Sequence, residues 1–156
     1  METKEYVINP LPVKTWNHLG MNNAKVDIEA LAEKDNIDIT AQGVTQGSIR
    51  ASAIDSGLGH EFDALVTQAV PVFKTFESAD DKARARVNIA VHADEASVTA
   101  IDITANEGQT FTFITDLRGD EDASGSVALQ VRLHAGKGSV INLIQAQRSG
   151  SKVTVF

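Results

Sequence analysis

Three short corner motifs constrain this chain more than any other feature. HADEAS at 92–97, TANEGQ at 104–109 and HAGKGS at 134–139 each pass through an alanine, a charged residue, and then alanine or glycine. Taking the small residue as a marker, Ala96 and Gly108 are 12 apart, and so are Gly138 and Gly150. Gly125 falls 17 after Gly108 and 13 before Gly138, so the polar stretch LRGDEDASG reads as an insertion that lengthens one corner by about five residues. Between the corners run β-prone segments of about eight residues. In 127–134, Val127, Leu129, Val131 and Leu133 alternate with Ala128, Gln130, Arg132 and His134, which predicts one core face and one wet face. Segment 109–116 places Phe111 and Phe113 on one face, and 98–105 does the same with Ile101, Ile103 and Ala105. Segment 139–147 has Ile141 and Leu143 on one side and Val140 and Ile144 on the other, so it is expected to be covered on both.

Two architectures use about 12 residues per strand and corner. An antiparallel β-sandwich or meander favours two-residue hairpins built on Asn-Gly or Asp-Gly, and neither dipeptide occurs here. A parallel β-helix stacks like corners over like, which suits a recurring four-residue corner. The pattern alone leaves both open.

Upstream of Val87 the character differs, which divides the chain into a region 1–86 and a repeat region 87–156. Residues 1–20 read as an extended arm, because Pro10 and Pro12 fix their own φ and push Asn9 and Leu11 away from helical geometry; Trp16 and Leu19 are its expected anchors. In 22–45 the signals are mixed. Val26, Ile28 and Leu31 suit a short helix through Lys34, whereas Ile37, Ile39 and Ala41 alternate like a strand before Gly43 and Gly47. The clearest helix follows, in IDSGLGHEFDALVTQAVP. Ser56 or the glycines cap it, Glu61 and Asp63 suit its first turn, Phe62, Leu65, Val66 and Ala69 form one stripe, and Pro71 stops it. ADDKARAR at 79–86 reads as a polar helical turn or a solvated loop.

The composition bounds function. With 156 residues, the chain has room for one domain that buries about 70 % of its unfolded surface on folding. Hydrophobic residues at 42 % and aromatic ones at 5 % predict a folded protein with a mainly aliphatic core. A net charge of −7 repels nucleic-acid phosphates and anionic lipid. There is no cysteine, so the chain supplies no thiolate to a metal or cluster. METKEYVIN lacks the apolar run of a signal peptide, and nothing approaches the roughly 20 apolar residues of a membrane span, so a cytoplasmic location is expected.

Chemistry-bearing patterns are few. His18, His60, His92 and His134 are scattered, although His92 and His134 hold the same corner position and would share a metal if their corners lay on one side. A polar repeat position explains them more simply. Asp116, Asp120, Glu121 and Asp122 crowd the long corner but match no EF-hand spacing, and a solvated loop accounts for them. GLGHE at 57–61 lacks both a preceding apolar strand and the lysine of a phosphate loop, which leaves helix entry as its role. No Gly-x-Ser-x-Gly is present. No residue is therefore assigned as catalytic, cofactor-binding or metal-binding, and a non-enzymatic role is expected. The enzymatic alternative, a β-helix hydrolase using carboxylates, has no acid and base pair that the sequence identifies.

Three motifs in order carry a family resemblance. NPLPVKTWN at 9–17 with LGMN at 19–22, then SGLGHEFD at 56–63, then HAGKGSVINLIQAQ at 134–147 together resemble the SufB/SufD family of iron-sulfur cluster assembly proteins. The resemblance runs from about Tyr6 to the last residue and covers the first half of a typical member. It implies an N-terminal helical or irregular region followed by a right-handed parallel β-helix. It also implies a scaffold that pairs with another SufB/SufD-type subunit and binds a SufC-type ABC ATPase without hydrolysing ATP itself. The family's cluster residues, dimer strands and ATPase-binding helices belong to its C-terminal half, so none is carried onto a position here and no cofactor is assigned to this chain. The lack of cysteine leans toward the SufD-like branch. Because the sequence stops at Val155-Phe156 inside a strand pattern, a truncated scaffold is expected, associating through exposed stacking positions such as Val153 and Val155. The alternative is a free-standing β-rich binding or assembly module without an iron-sulfur role.

Overall fold

Alternation of apolar and polar side chains recurs from Ala83 onward, and such a pattern can bury its apolar residues only by laying one sheet face against another. The computed structural model describes residues 3–8, 24–34, 37–50, 57–70 and 72–156, and these are mostly β. In order they form β1 (Thr3–Ile8), β2 (Ala24–Glu29), β3 (Ala32–Glu33), β4 (Ile37–Gln42), β5 (Val44–Arg50), helix α1 (His60–Ala69), β6 (Val72–Ser78), β7 (Ala83–Val91), β8 (Glu95–Ala105), β9 (Thr110–Gly119), β10 (Gly125–Ala135), β11 (Val140–Arg148) and β12 (Val153–Val155).

Consecutive strands from β6 onward alternate between two sheets. The first sheet runs β12-β10-β8-β6-β5, with β3 beside β8; the second runs β11-β9-β7-β4. Pairing is parallel among β6, β8, β10 and β12 and among β7, β9 and β11. It is antiparallel where β5 meets β6 and β4 meets β7, so both sheets are mixed. Glu95 lies opposite Gly125 in one sheet and Thr110 opposite Val140 in the other, an offset of thirty residues in each. The spacing of like positions is therefore two strands and two corners, not one. TANEGQ stacks on HAGKGS, with Gly136 N–H donating to Ala105 C=O and Gly108 N–H to Lys137 C=O. HADEAS belongs to the other set of corners, where Glu95 N–H donates to Ser124 C=O.

The main core fills the space between the sheets. Val87, Ile89 and Val91 of β7, Ile101 and Ile103 of β8, and Phe111 and Phe113 of β9 are buried there, with Phe113 edge-on to Phe76 at 4.9 Å between centroids. A second core covers the outer face of the first sheet. Tyr6, Ile28, Phe62 and Val66 pack on Phe73, Val98 and Ala128, which makes Ala128 a buried contact rather than a wet one. The helix matches its expected stripe, entering at Gly59 with Glu61 and Asp63 in its first turn.

Several expectations change. The helix expected over Val26–Lys34 is strand β2, antiparallel to β1: Lys25, Asp27 and Glu29 alternate with Val26 and Ile28, and a two-residue period serves a strand. In ADDKARAR only the first half is a turn, with Lys82 at φ +61°; Ala83 and Ala85 then enter β7 and are buried. Both sheets thus run across position 87, since β6 and β7 pair with β8 and β9. Leu133, Val140 and Ile144 are about half exposed, so β11 is covered on one side only among the described residues. The expected arm residues Pro10, Pro12, Trp16 and Leu19, together with His18, Ser56 and Pro71, lie outside the described residues.

Candidate functional site

The residues singled out from the sequence are dispersed. His92 sits in the corner before β8 with its Nδ1 2.6 Å from Asp120 Oδ2, whereas His134, near the far end of β10, has its Nε2 3.2 Å from Asp102 Oδ2. Gly125 pairs with Glu95 and His134 with Thr104, which puts the two histidines about 30 Å apart along the strands at 3.3 Å per residue. They share no site. His60 is exposed at the first turn of α1. Among the described residues no group of three His, Asp or Glu side chains is placed to hold a metal ion. The long-corner carboxylates separate as well, because Asp120, Glu121 and Asp122 stay in the turn while Asp116 points from β9 onto the outer face of the second sheet.

Asp116 is the most concentrated electrostatic feature of the molecule. Odd-numbered residues of β4, β7 and β9 face the main core, so even-numbered ones face outward, and β11 follows the same parity. Asp116 accepts hydrogen bonds from Arg118 Nε at 3.1 Å and Nη2 at 2.6 Å, from Arg148 Nη2 at 2.6 and 2.8 Å, and from Arg86 Nη2. Its side chain is only 2 % exposed, but those of Arg86, Arg118 and Arg148 are 42, 54 and 58 % exposed. The bonds from Arg118 and then Arg148, joined by Arg86, hold its carboxyl far below the usual carboxylate range, and Asp116 in turn raises Arg118. Arg86 Nε also donates to Asn88, which donates to Asp38 at 3.0 Å. Four strands are thereby joined by side chains alone.

Two smaller charged groups lie on the first sheet. Asp102 accepts from Arg132 Nη2 at 2.6 Å, and the Arg132 guanidinium stacks 3.7 Å from the centre of the Phe73 ring. Lys34 and Glu95 form a mostly buried pair at 2.8 Å that ties β3 to β8. Burial alone would raise the Glu95 carboxyl, but the bond and charge of Lys34 and the His92 N–H outweigh it and leave it lowered.

Reading the corners at a spacing of 12 hid the arginine cluster. Its sequence signal is an offset of thirty: Arg86 to Asp116, Arg118 to Arg148, and on the other sheet Asp102 to Arg132. Chemically, three guanidinium forks around one carboxylate leave a surplus of positive charge and unused N–H donors facing outward, which suits holding an anionic group. Comparison with protein-family models, with curated proteins and with solved structures returned no match.

Proposed function

We propose that this chain is a non-catalytic scaffold component of an iron-sulfur cluster assembly system, corresponding to the N-terminal half of a SufB/SufD-type subunit of the SufD-like branch. In this reading it works in the cytoplasm beside a SufC-type ABC ATPase and a second SufB/SufD-type subunit, and the cluster is cargo handled by the complex, with no cofactor resident in this chain. The stacked strands are read as coils of a parallel β-helix, right-handed because a strand, crossover and parallel strand in one sheet take that hand almost without exception.

One observation carries the proposal. Successive segments pair in parallel at offsets of 27 to 30 residues, while the antiparallel strands β4 and β5 close the stack at one end and β11 and β12 lie at the other with no further strand beside them among the described residues. A stack closed at one end and open at the other supports a platform that is extended or joined. The test is anaerobic reconstitution with iron and sulfide together with co-purification with the ATPase, using this chain and a full-length SufB/SufD-type protein that begins with it. Function in the longer protein, lost when this portion is exchanged for an unrelated fold, is the expected result. A longer protein that neither retains the ATPase nor assembles a cluster would overturn the reading.

A further inference from the structure

We propose that the outward face of the β4-β7-β9-β11 sheet binds an acidic peptide segment in which an aliphatic residue lies among carboxylates. The chain carries six arginines and a net charge of −7, yet four of those arginines, Arg84, Arg86, Arg118 and Arg148, occupy outward positions on this one sheet. Among the described residues only two carboxylates, Asp38 and Asp116, stand against them there, so the face is positive on an otherwise acidic molecule. Asp116 orders three of the guanidiniums without neutralising them, which reduces the side-chain entropy a partner must remove.

The shape of the face decides between a small ion and a peptide. Arg84 lies opposite Thr112, while Arg118 and Arg148 lie opposite each other six residues further along, so the cations span about 20 Å in the strand direction. Beside Arg84 and Arg86 is an open groove of about 230 Å³ whose outward-facing wall is formed by Ile114 with Thr40 and Thr112. A second groove, of about 540 Å³, runs from Arg86 to Arg118 past Asp38 and Asn88. Charge spread over that length, with an apolar notch at one end, matches several carboxylates and an aliphatic side chain. A nucleic acid brings no aliphatic group for the notch and is repelled by the rest of the molecule.

The proposal is tested on the full chain with a fluorescein-labelled peptide of repeating Glu-Glu-Leu and its Gln-Gln-Leu counterpart. Saturable binding of the acidic peptide alone, weakening with salt, is expected, with amide shifts centred on Arg84, Arg86, Ile114, Arg118 and Arg148. Replacing Arg84→Gln and Arg148→Gln together is expected to weaken binding about tenfold. Equal binding of both peptides, shifts elsewhere on the molecule, displacement by millimolar inorganic phosphate, or tighter binding of a short DNA duplex would each overturn it. The shift map uses the unaltered protein, so the result does not depend on the variant folding.

Discussion

At Gly125 the backbone holds a φ of +106°, and a Cβ built there would stand 2.0 Å from the Glu95 carbonyl oxygen. Both the dihedral and the close approach of β10 to β8 require glycine. Gly125→Ala is therefore expected to lower stability by roughly 2–3 kcal/mol, measured by urea unfolding, because strain and a backbone clash act at one residue. Gly108 is the contrasting case. Its φ is +73° but a Cβ there meets nothing within 4 Å, so only the dihedral strain remains and Gly108→Ala is expected to cost less. The sequence marked both as corner glycines; only the approach of Glu95 separates them.

Asp116 sets the acid limit at the same scale. Its folded carboxyl titrates far below the ordinary aspartate value near 4, so the arginine bonds contribute stability that is fully present above about pH 4–5 and is lost as pH falls toward the folded value. Thermal melts of the native chain are expected to fall between pH 5 and pH 3. Asp116→Asn is expected to melt lower at pH 6, where three guanidiniums lose their counter-charge, and to lose less on acidification. A variant with an unchanged acid slope would show that other carboxylates set it.

Among elements, α1 holds the second core closed. Phe62 is buried against the first sheet and its ring lies 5.1 Å from that of Phe156, which follows β12 and pairs with β10 through bonds to Val127 and Leu129. Helix and final strand thus support each other although they are far apart in sequence. Phe62→Ala is expected to cost about 3–5 kcal/mol in equilibrium unfolding. The strands from β8 onward were legible in the sequence because each alternates with a period of two and is bounded by a corner. β5 and β6 were not. In β6, Phe73 faces the second core and Phe76 the main one, so the apolar residues fall on both faces and the alternation disappears. In β5 most side chains are exposed, and the strand exists because its backbone pairs with β6.

For the molecule as a whole, the two ends of the sheets differ. At one end β5 closes the first sheet and β4 the second with antiparallel strands, while Ile141 and Leu143 of β11 and Val153 and Val155 of β12 pack on the main core from the other end and remain only partly buried. Among the described residues no strand lies beyond β11 or β12, and open strand edges beside apolar positions favour association. Light scattering of this chain is expected to show dimers or larger species as concentration rises, and Leu143→Glu with Val155→Glu to return it to monomer. A monomer at millimolar concentration would count against association through this end.

What the sequence determined by itself is local: strand and helix periods, turn glycines, the glycine entry of α1, and an acidic chain without thiols, all set by residues within a few positions of one another. Which strands are neighbours was decided only in three dimensions. The corner motifs suggested a unit of about 12 residues, but burying apolar side chains between two sheets returns each strand to its own sheet after 27 to 30. That offset stacks TANEGQ on HAGKGS, sends His92 and His134 to different ends, and brings Arg86, Arg118 and Arg148 onto Asp116. Long-range pairing is fixed by packing both sheet faces at once, which no local window of the sequence contains.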